Sequence, residues 1–154
     1  MKRLPILSAL MLSALLVACG GSSEGDSNAP AEPIEIYTPK AKPSPLGIGP
    51  ITEQIEFGEL NSEMASEGEA VFTQMCTACH KMDKRHVGPA LSGVIERRNA
   101  AWVMNMILNP EEMVKEDPEA KALFAEYLSP MANQNLTNEQ ARAVLEYIRE
   151  YDAQ

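Results

Sequence analysis

The chain has 154 residues, and 22 Asp and Glu residues outnumber 13 Lys and Arg residues, giving a formal net charge of −9 at pH 7. A nucleic-acid-binding protein needs a basic face, so this balance argues against nucleic acid as a partner. The acidity suits steering toward a partner with a positive docking patch, and it equally suits solubility alone.

The N-terminus has the three parts of an export signal. Lys2 and Arg3 form a basic start, and the apolar run over residues 4–18 is shorter than the roughly 20 residues of a membrane-spanning helix. The run ends in "LVAC" ahead of "GGSSEGDSN", which resembles the lipobox of bacterial lipoproteins; an ordinary signal peptide with a chance cysteine is the alternative. The resemblance implies a signal peptide over residues 1–18 and a lipid on Cys19. We therefore expect a protein anchored to the cell membrane by lipid, facing the periplasm or the cell exterior.

Residues 19–60 are predicted to form a tether between the lipid and the folded domain. The segment "GGSSEGDSNAPAEP" is small and polar, and six of the eleven prolines lie between Pro30 and Pro50. Such a segment buries too little apolar surface to offset the entropy of ordering it, and its prolines favour an extended chain. Whether the last part, residues 46–60, packs on the domain is left open by its scattered apolar residues.

Residues 61–154 are long enough for one small domain, and no stretch of them alternates as a strand would. A first helix is predicted over residues 62–76, where Gly68, Phe72 and Cys76 recur on one stripe. A second is predicted over residues 99–108, with Asn99 as its N-cap and a proline following its end.

Two further helices complete the predicted domain. The third begins at Asp117-Pro118, a cap followed by proline at the first helical position, and ends at Leu128. The fourth begins at Thr137, where Gln140 three residues later forms a capping box. The fold class is therefore all-α, and its thin aliphatic core indicates that a disulfide, metal or cofactor stabilises it.

The segment "CTACH" places Cys76, Cys79 and His80 within five residues. A zinc site needs about four ligands, and His86 is the only other histidine. A thioredoxin-like exchange site needs a βαβ setting, which the sequence does not show. Cys-x-x-Cys-His instead favours covalent haem, because thiols one helical turn apart reach the two vinyl groups while the adjacent imidazole reaches the iron.

With the haem motif in place, residues 61–154 resemble a single-haem class I c-type cytochrome. The likeness rests on "SEGEAVFTQMCTACHKMDKRHVGPALSGV" and "LSPMANQNLTNEQARAVLEYIREY". It implies a small cytochrome c fold of four to five helices packed around one covalently bound haem c. Cys76 and Cys79 would then bond the haem, His80 would be an axial ligand, and the Pro89 carbonyl would accept the His80 ring N–H. The first and last helices would cross closely at Gly68.

The resemblance implies a methionine as the second axial ligand, and Met131 is the predicted residue. Met131 lies in a loop before the capped last helix, although the proline that usually follows the ligand precedes it here, as Pro130. Met113 is the alternative. His86, six residues after His80, is predicted to be a surface histidine.

Three residues near the second helix are further candidates for cofactor binding. Trp102 is either plain core or donates its indole N–H to a haem propionate, as the resemblance implies. Arg97 and Arg98 either neutralise a propionate or are simply solvated.

The resemblance implies a monomeric electron carrier that is not an enzyme. Its partners would be redox proteins: a donor such as a quinol-oxidising complex, and an acceptor such as a terminal oxidase or a periplasmic nitrogen-oxide reductase. The alternatives are a haem-based sensor or peroxidase-like protein with a labile sixth ligand, and a fixed electron-entry subunit of a larger respiratory complex.

Overall fold

The computed structural model describes residues 44–154, which contain six helices and no strand. The predicted signal peptide, Cys19 and the first part of the predicted tether lie outside the described residues. The all-α class is confirmed. The helices are α1 (Ser62–Met75), α2 (Val94–Arg97), α3 (Ala100–Leu108), α4 (Pro110–Glu116), α5 (Pro118–Tyr127) and α6 (Asn138–Asp152).

The four predicted helices are α1, α3, α5 and α6, and the last three begin at caps that the sequence indicates. The Asn99 side chain accepts the N–H of Ala101, and Asp117 caps α5 ahead of Pro118. Thr137 and Gln140 form the predicted capping box of α6. Side-chain oxygens at these positions satisfy N–H groups that have no partner within the helix, which sets where each helix starts.

Helices α2 and α4 were not predicted. The proline that the sequence analysis took as the end of α3 is also the first residue of α4, a position that proline favours because it needs no N–H donor there. Helix α2 has only four residues, too few for a hydrophobic period to be visible.

Helices α1 and α6 cross at Gly68, as the resemblance implied. A Cβ atom on Gly68 would overlap the backbone of Ala143, so glycine is what lets the two backbones approach. One turn later the Phe72 and Tyr147 rings pack with their centroids 5.4 Å apart. Phe72 is 4% exposed, and full burial of such a side chain contributes about 1.5–3 kcal/mol.

Residues 44–60, called the strap from here on, pack against the helices without helical structure of their own. Asn105 of α3 is fully buried and holds the first part of the strap: it accepts the N–H of Ile51 at 3.0 Å and donates to the carbonyls of Leu46 and Ile51 at 2.8 and 2.9 Å. Residues 46–60, for which the sequence did not decide between packing on the domain and belonging to a free tether, therefore pack on the domain.

The second part of the strap lies on α6. Phe57 contacts two guanidinium groups, with Arg142 5.2 Å and Arg149 4.3 Å from its ring centroid. Glu146, fully buried, accepts hydrogen bonds from both arginines and from the N–H of Asn61. Burial alone would raise the pKa of Glu146, but these hydrogen bonds hold that pKa below its usual value.

Within residues 44–154, none of the helices has the length and apolar character that a membrane crossing requires.

Candidate haem site

The described part of the chain contains a largely apolar cavity of about 390 Å³. Its wall is built by the end of α1, the loop after it, helices α2, α3 and α5, the loop before α6, and α6 itself. Apolar side chains form most of this wall, among them Val94, Val103, Leu123, Phe124, Val144 and Ile148. A pocket of this kind binds a flat apolar group and fixes it with a few polar atoms.

The cysteine–histidine motif lies at the end of α1, where the chain turns. The N–H groups of Cys79 and His80 both donate to the carbonyl of Cys76, at 3.0 and 2.9 Å. This turn brings the side chains of all three residues to the cavity wall. Burial raises the pKa of the Cys76 thiol to about 11, and the electrostatic interaction with the neighbouring Cys79 adds to the shift. The Cys76 thiol is therefore protonated at neutral pH.

The His80 ring is oriented by the backbone of the loop that follows. Its Nδ1 lies 3.0 Å from the carbonyl oxygen of Pro89, and because a carbonyl only accepts, the hydrogen must be on Nδ1. Burial lowers the pKa of His80, and the bond to Pro89 opposes that shift. A neutral ring with the lone pair on Nε2 results, which is the form that binds iron.

Gly88 makes this orientation possible. A Cβ atom there would lie 2.5 Å from Cε1 of His80, so a side chain would push the ring out of place. The Gly88 N–H also donates to the Cys79 carbonyl at 2.9 Å, which closes the loop under the ring.

The structure separates the two methionines proposed as second ligand. Met131 is half-buried at the cavity wall. Met113 is fully buried under the strap, where its sulfur accepts the N–H of Ile48 at 3.0 Å, and it does not line the cavity. Met75 and Met106 also line the cavity.

The loop that carries Met131 is shaped by its own backbone contacts. Leu128, the C-cap of α5, has a left-handed conformation with φ of 52°, which turns the chain out of the helix. Farther along, Asn133 donates to the Leu108 carbonyl at 3.3 Å and accepts the N–H of Asn135 at 2.8 Å. The bond to Leu108 connects the loop to the end of α3, and the bond from Asn135 holds the loop's own turn.

The indole N–H of Trp102 donates to Oδ1 of Asp117, at 3.2 Å. The hydrogen bond to a haem propionate that the resemblance implied stays a prediction. The ring is 5% exposed and still forms part of the cavity wall. Trp102 is therefore a wall residue whose polar atom is already engaged.

Arg97 and Arg98 both line the cavity; Arg97 is exposed and Arg98 is half-buried. Arg97 donates to the carbonyls of Ser92 and Ala90 at 2.8 and 3.3 Å, which fixes its positive charge at the rim. Arg98 pairs with Glu119 at 2.6 Å and lies over the Trp102 ring, 5.2 Å from its centroid.

The contribution of α5 to the cavity was not predicted from the sequence. Ala120, Leu123, Phe124 and Tyr127 all line the cavity, and their i, i+3, i+4, i+7 spacing is the signal that would have found them. Arg85 lies over the Tyr127 ring, 4.1 Å from its centroid. His86 is exposed and does not line the cavity, in agreement with a surface role.

These residues fit a covalently attached haem. Two cysteines one helical turn apart, a neutral imidazole, a thioether and two rim cations converge on one apolar cavity. Within residues 44–154, no three His, Cys, Asp or Glu side chains are grouped as the ligands of a bare metal ion would be.

An all-α domain with this motif at an apolar cavity defines a class I c-type cytochrome. The sequence profile of the family "Cytochrome c" matches residues 65–152. The chain therefore belongs to the cytochrome c family, whose members carry electrons and whose cofactor is covalent haem c.

Known proteins resemble the chain in sequence and in structure. A cytochrome c from Rhodothermus marinus superposes with a TM-score of 0.65 at 42% identity, covering 68% of this chain and 90% of that one. A cytochrome c domain from Pseudomonas putida gives 0.53 at 31% identity, covering 56% and 89%. A cytochrome c2 from Rhodopseudomonas palustris is 43% identical over 53 residues, 34% of this chain and 37% of that protein. The chain thus matches little more than a third of that relative's length.

Proposed function

We propose that this protein is a membrane-anchored electron carrier on the periplasmic or outer side of the membrane. Cys76 and Cys79 would hold haem c through thioethers, and His80 and Met131 would be its two axial ligands. The observation that carries the proposal is that all four side chains line one apolar cavity. With both axial positions filled by protein, a monomeric carrier is a better fit than an enzyme, which needs an open position for substrate.

The bound haem would supply reversible one-electron chemistry at its iron. The chain's own residues would set the conditions for it. The Pro89 carbonyl holds the His80 ring in one orientation through a 3.0 Å contact, and the apolar wall keeps water away from the site. Such a cage changes little between oxidation states, which favours fast electron transfer over ligand chemistry.

The rim would provide the counter-charge for the haem propionates. Because the indole N–H of Trp102 is taken by Asp117, this role falls to Arg97 and Arg98. Arg97 is held by two backbone carbonyls, so its charge is positioned before the cofactor arrives.

Lipidation of Cys19 would place the domain at the membrane. Because the strap is bonded to α3 from the Leu46 carbonyl onward, the proposed tether is reduced to residues 19–45. Fully extended at about 3.1 Å per residue, it would reach on the order of 80 Å. This reach would let the domain exchange electrons between a donor such as a quinol-oxidising complex and an acceptor such as a terminal oxidase or a periplasmic nitrogen-oxide reductase.

The axial ligation is tested by removing one sulfur atom at a time from the purified holoprotein. Met131→Leu keeps the volume but removes the proposed ligand, so it should abolish the weak far-red band of methionine-ligated ferric haem and lower the midpoint potential. Met106→Leu is the matched control, because Met106 lines the same cavity, and its spectrum should be unchanged. Loss of the band in the control instead would move the assignment to Met106.

The same purified holoprotein distinguishes an electron carrier from the two alternative functions. A parent protein that lacks the band and binds carbon monoxide readily when reduced would be a sensor or peroxidase-like protein. A stoichiometric partner retained through purification in mild detergent would indicate a fixed subunit of a respiratory complex.

A further inference from the structure

Two acidic side chains are buried in the described part of the chain, Glu146 and Asp117. Glu146 lies between two arginines at the strap. Asp117 is 2% exposed, and its Oδ1 accepts three N–H groups: the backbone N–H of Glu119 and of Ala120, at 3.0 and 2.9 Å, and the Trp102 indole N–H at 3.2 Å. None of these three donors is charged.

Asp117 lies directly behind the wall of the haem cavity. Both Trp102 and Ala120, which donate to it, are buried wall residues. The carboxylate is therefore in direct hydrogen-bond contact with two residues of the cavity wall. In a protein interior a charge this close to a cavity is weakly screened, so it acts on a bound cofactor far more strongly than a surface charge does.

We propose that Asp117 tunes the reduction potential of the haem by placing a buried carboxylate behind Trp102. Ferric haem carries one more positive charge than ferrous haem, so a fixed negative charge beside the cavity stabilises the ferric state and lowers the potential. The inference rests on the proposed function, because it requires haem in this cavity. It assigns Asp117 a role beyond capping α5.

The test is a potentiometric titration of the holoprotein carrying Asp117→Asn. Asparagine is as good an N-cap as aspartate and keeps an oxygen for the same N–H donors, so the change removes the charge and little else. We expect the midpoint potential to rise, such that the ratio of reduced to oxidised protein at a fixed ambient potential increases several-fold. Asp117→Ser, which keeps a capping hydroxyl, should shift it in the same direction.

Two controls separate the local field from other effects. Glu111→Gln removes the same charge from an exposed position at the start of α4, and its shift should be much smaller. In a Trp102→Phe background, Asp117→Asn should still raise the potential if the carboxylate acts through its field. If Asp117 only positions the indole, the shift disappears there.

The inference is overturned if Asp117→Asn shifts the potential no more than Glu111→Gln does, or if its shift vanishes in the Trp102→Phe background. The far-red methionine band, recorded for every variant, keeps this result distinct from the proposed ligation. A missing band in the parent protein would refute Met131 as ligand and would leave the comparison of potentials valid.

Discussion

Asn105 is the residue whose removal should release the first part of the strap. It lies fully buried on α3 and makes three hydrogen bonds to strap backbone groups, two with Ile51 and one with Leu46, between 2.8 and 3.0 Å. Asn105→Ala removes all three at once. The three strap backbone groups that were bonded to Asn105 must then bind water or remain unpaired, because the alanine side chain has no polar atom.

The expected loss follows from the number of bonds. A hydrogen bond within a protein contributes about 0.5–1.5 kcal/mol net, so three of them amount to roughly 2–4 kcal/mol. For a domain of about 100 residues, that loss lowers Tm by roughly 10–20 °C. Asn109→Ala is the matched control, since Asn109 makes one strap contact, to the Ile48 carbonyl at 3.3 Å, and should cost about 1 kcal/mol.

Denaturant unfolding of the holoprotein measures the change in the free energy of unfolding for each variant. Hydrogen exchange shows which backbone amides lose protection. The Ile51 amide, which donates to Asn105, should lose its protection in Asn105→Ala and keep it in Asn109→Ala. Equal stability of the two variants, or an Ile51 amide that stays protected in Asn105→Ala, would show that Asn105 does not hold the strap.

Three other substitutions have expected outcomes that can be measured directly. Gly68→Ala should prevent assembly of the holoprotein, because its methyl group would meet the Ala143 backbone; absorbance of bound haem measures the loss, and a normal yield would contradict the close crossing. The lowered pKa of Glu146 stabilises the fold above the carboxylate's ordinary pKa. This contribution is lost as pH falls from that ordinary value through the lowered one, so stability measured between neutral and acidic pH should drop less steeply in Glu146→Gln. Cys19→Ala should move the protein from the membrane fraction to the soluble fraction, and continued membrane association would argue against lipidation.

The sequence was sufficient for the parts of the fold that depend on local chemistry. Side-chain caps fixed the beginnings of α3, α5 and α6, because a cap satisfies N–H groups within three residues of itself. The close spacing of Cys76, Cys79 and His80 likewise predicted a haem attachment site, and the family and its cofactor confirm that class of site. The individual ligands, including Met131, stay predictions.

Contacts between distant residues were the part that the sequence could not specify. The bond of Trp102 to Asp117 spans 15 positions, and those of the strap to α3 span more than 50. A tryptophan looks the same in the sequence whether its indole N–H donates to a haem propionate or to an aspartate side chain. The strap has no helical or strand periodicity, because it is an irregular segment whose backbone is hydrogen-bonded to buried side chains.

Helix α3 connects the strap to the haem cavity. Its Trp102 and Val103 form cavity wall, whereas Asn105 holds the strap. The two sides meet at Trp102 itself, because a Cβ on Gly47 of the strap would lie 3.1 Å from Cδ1 of the indole. The ring is thus packed between the strap and the cavity, with its N–H fixed by Asp117. A strap that left the domain would remove support from this ring, which under our proposal lies between the Asp117 carboxylate and the haem, so release of the strap should also change the reduction potential.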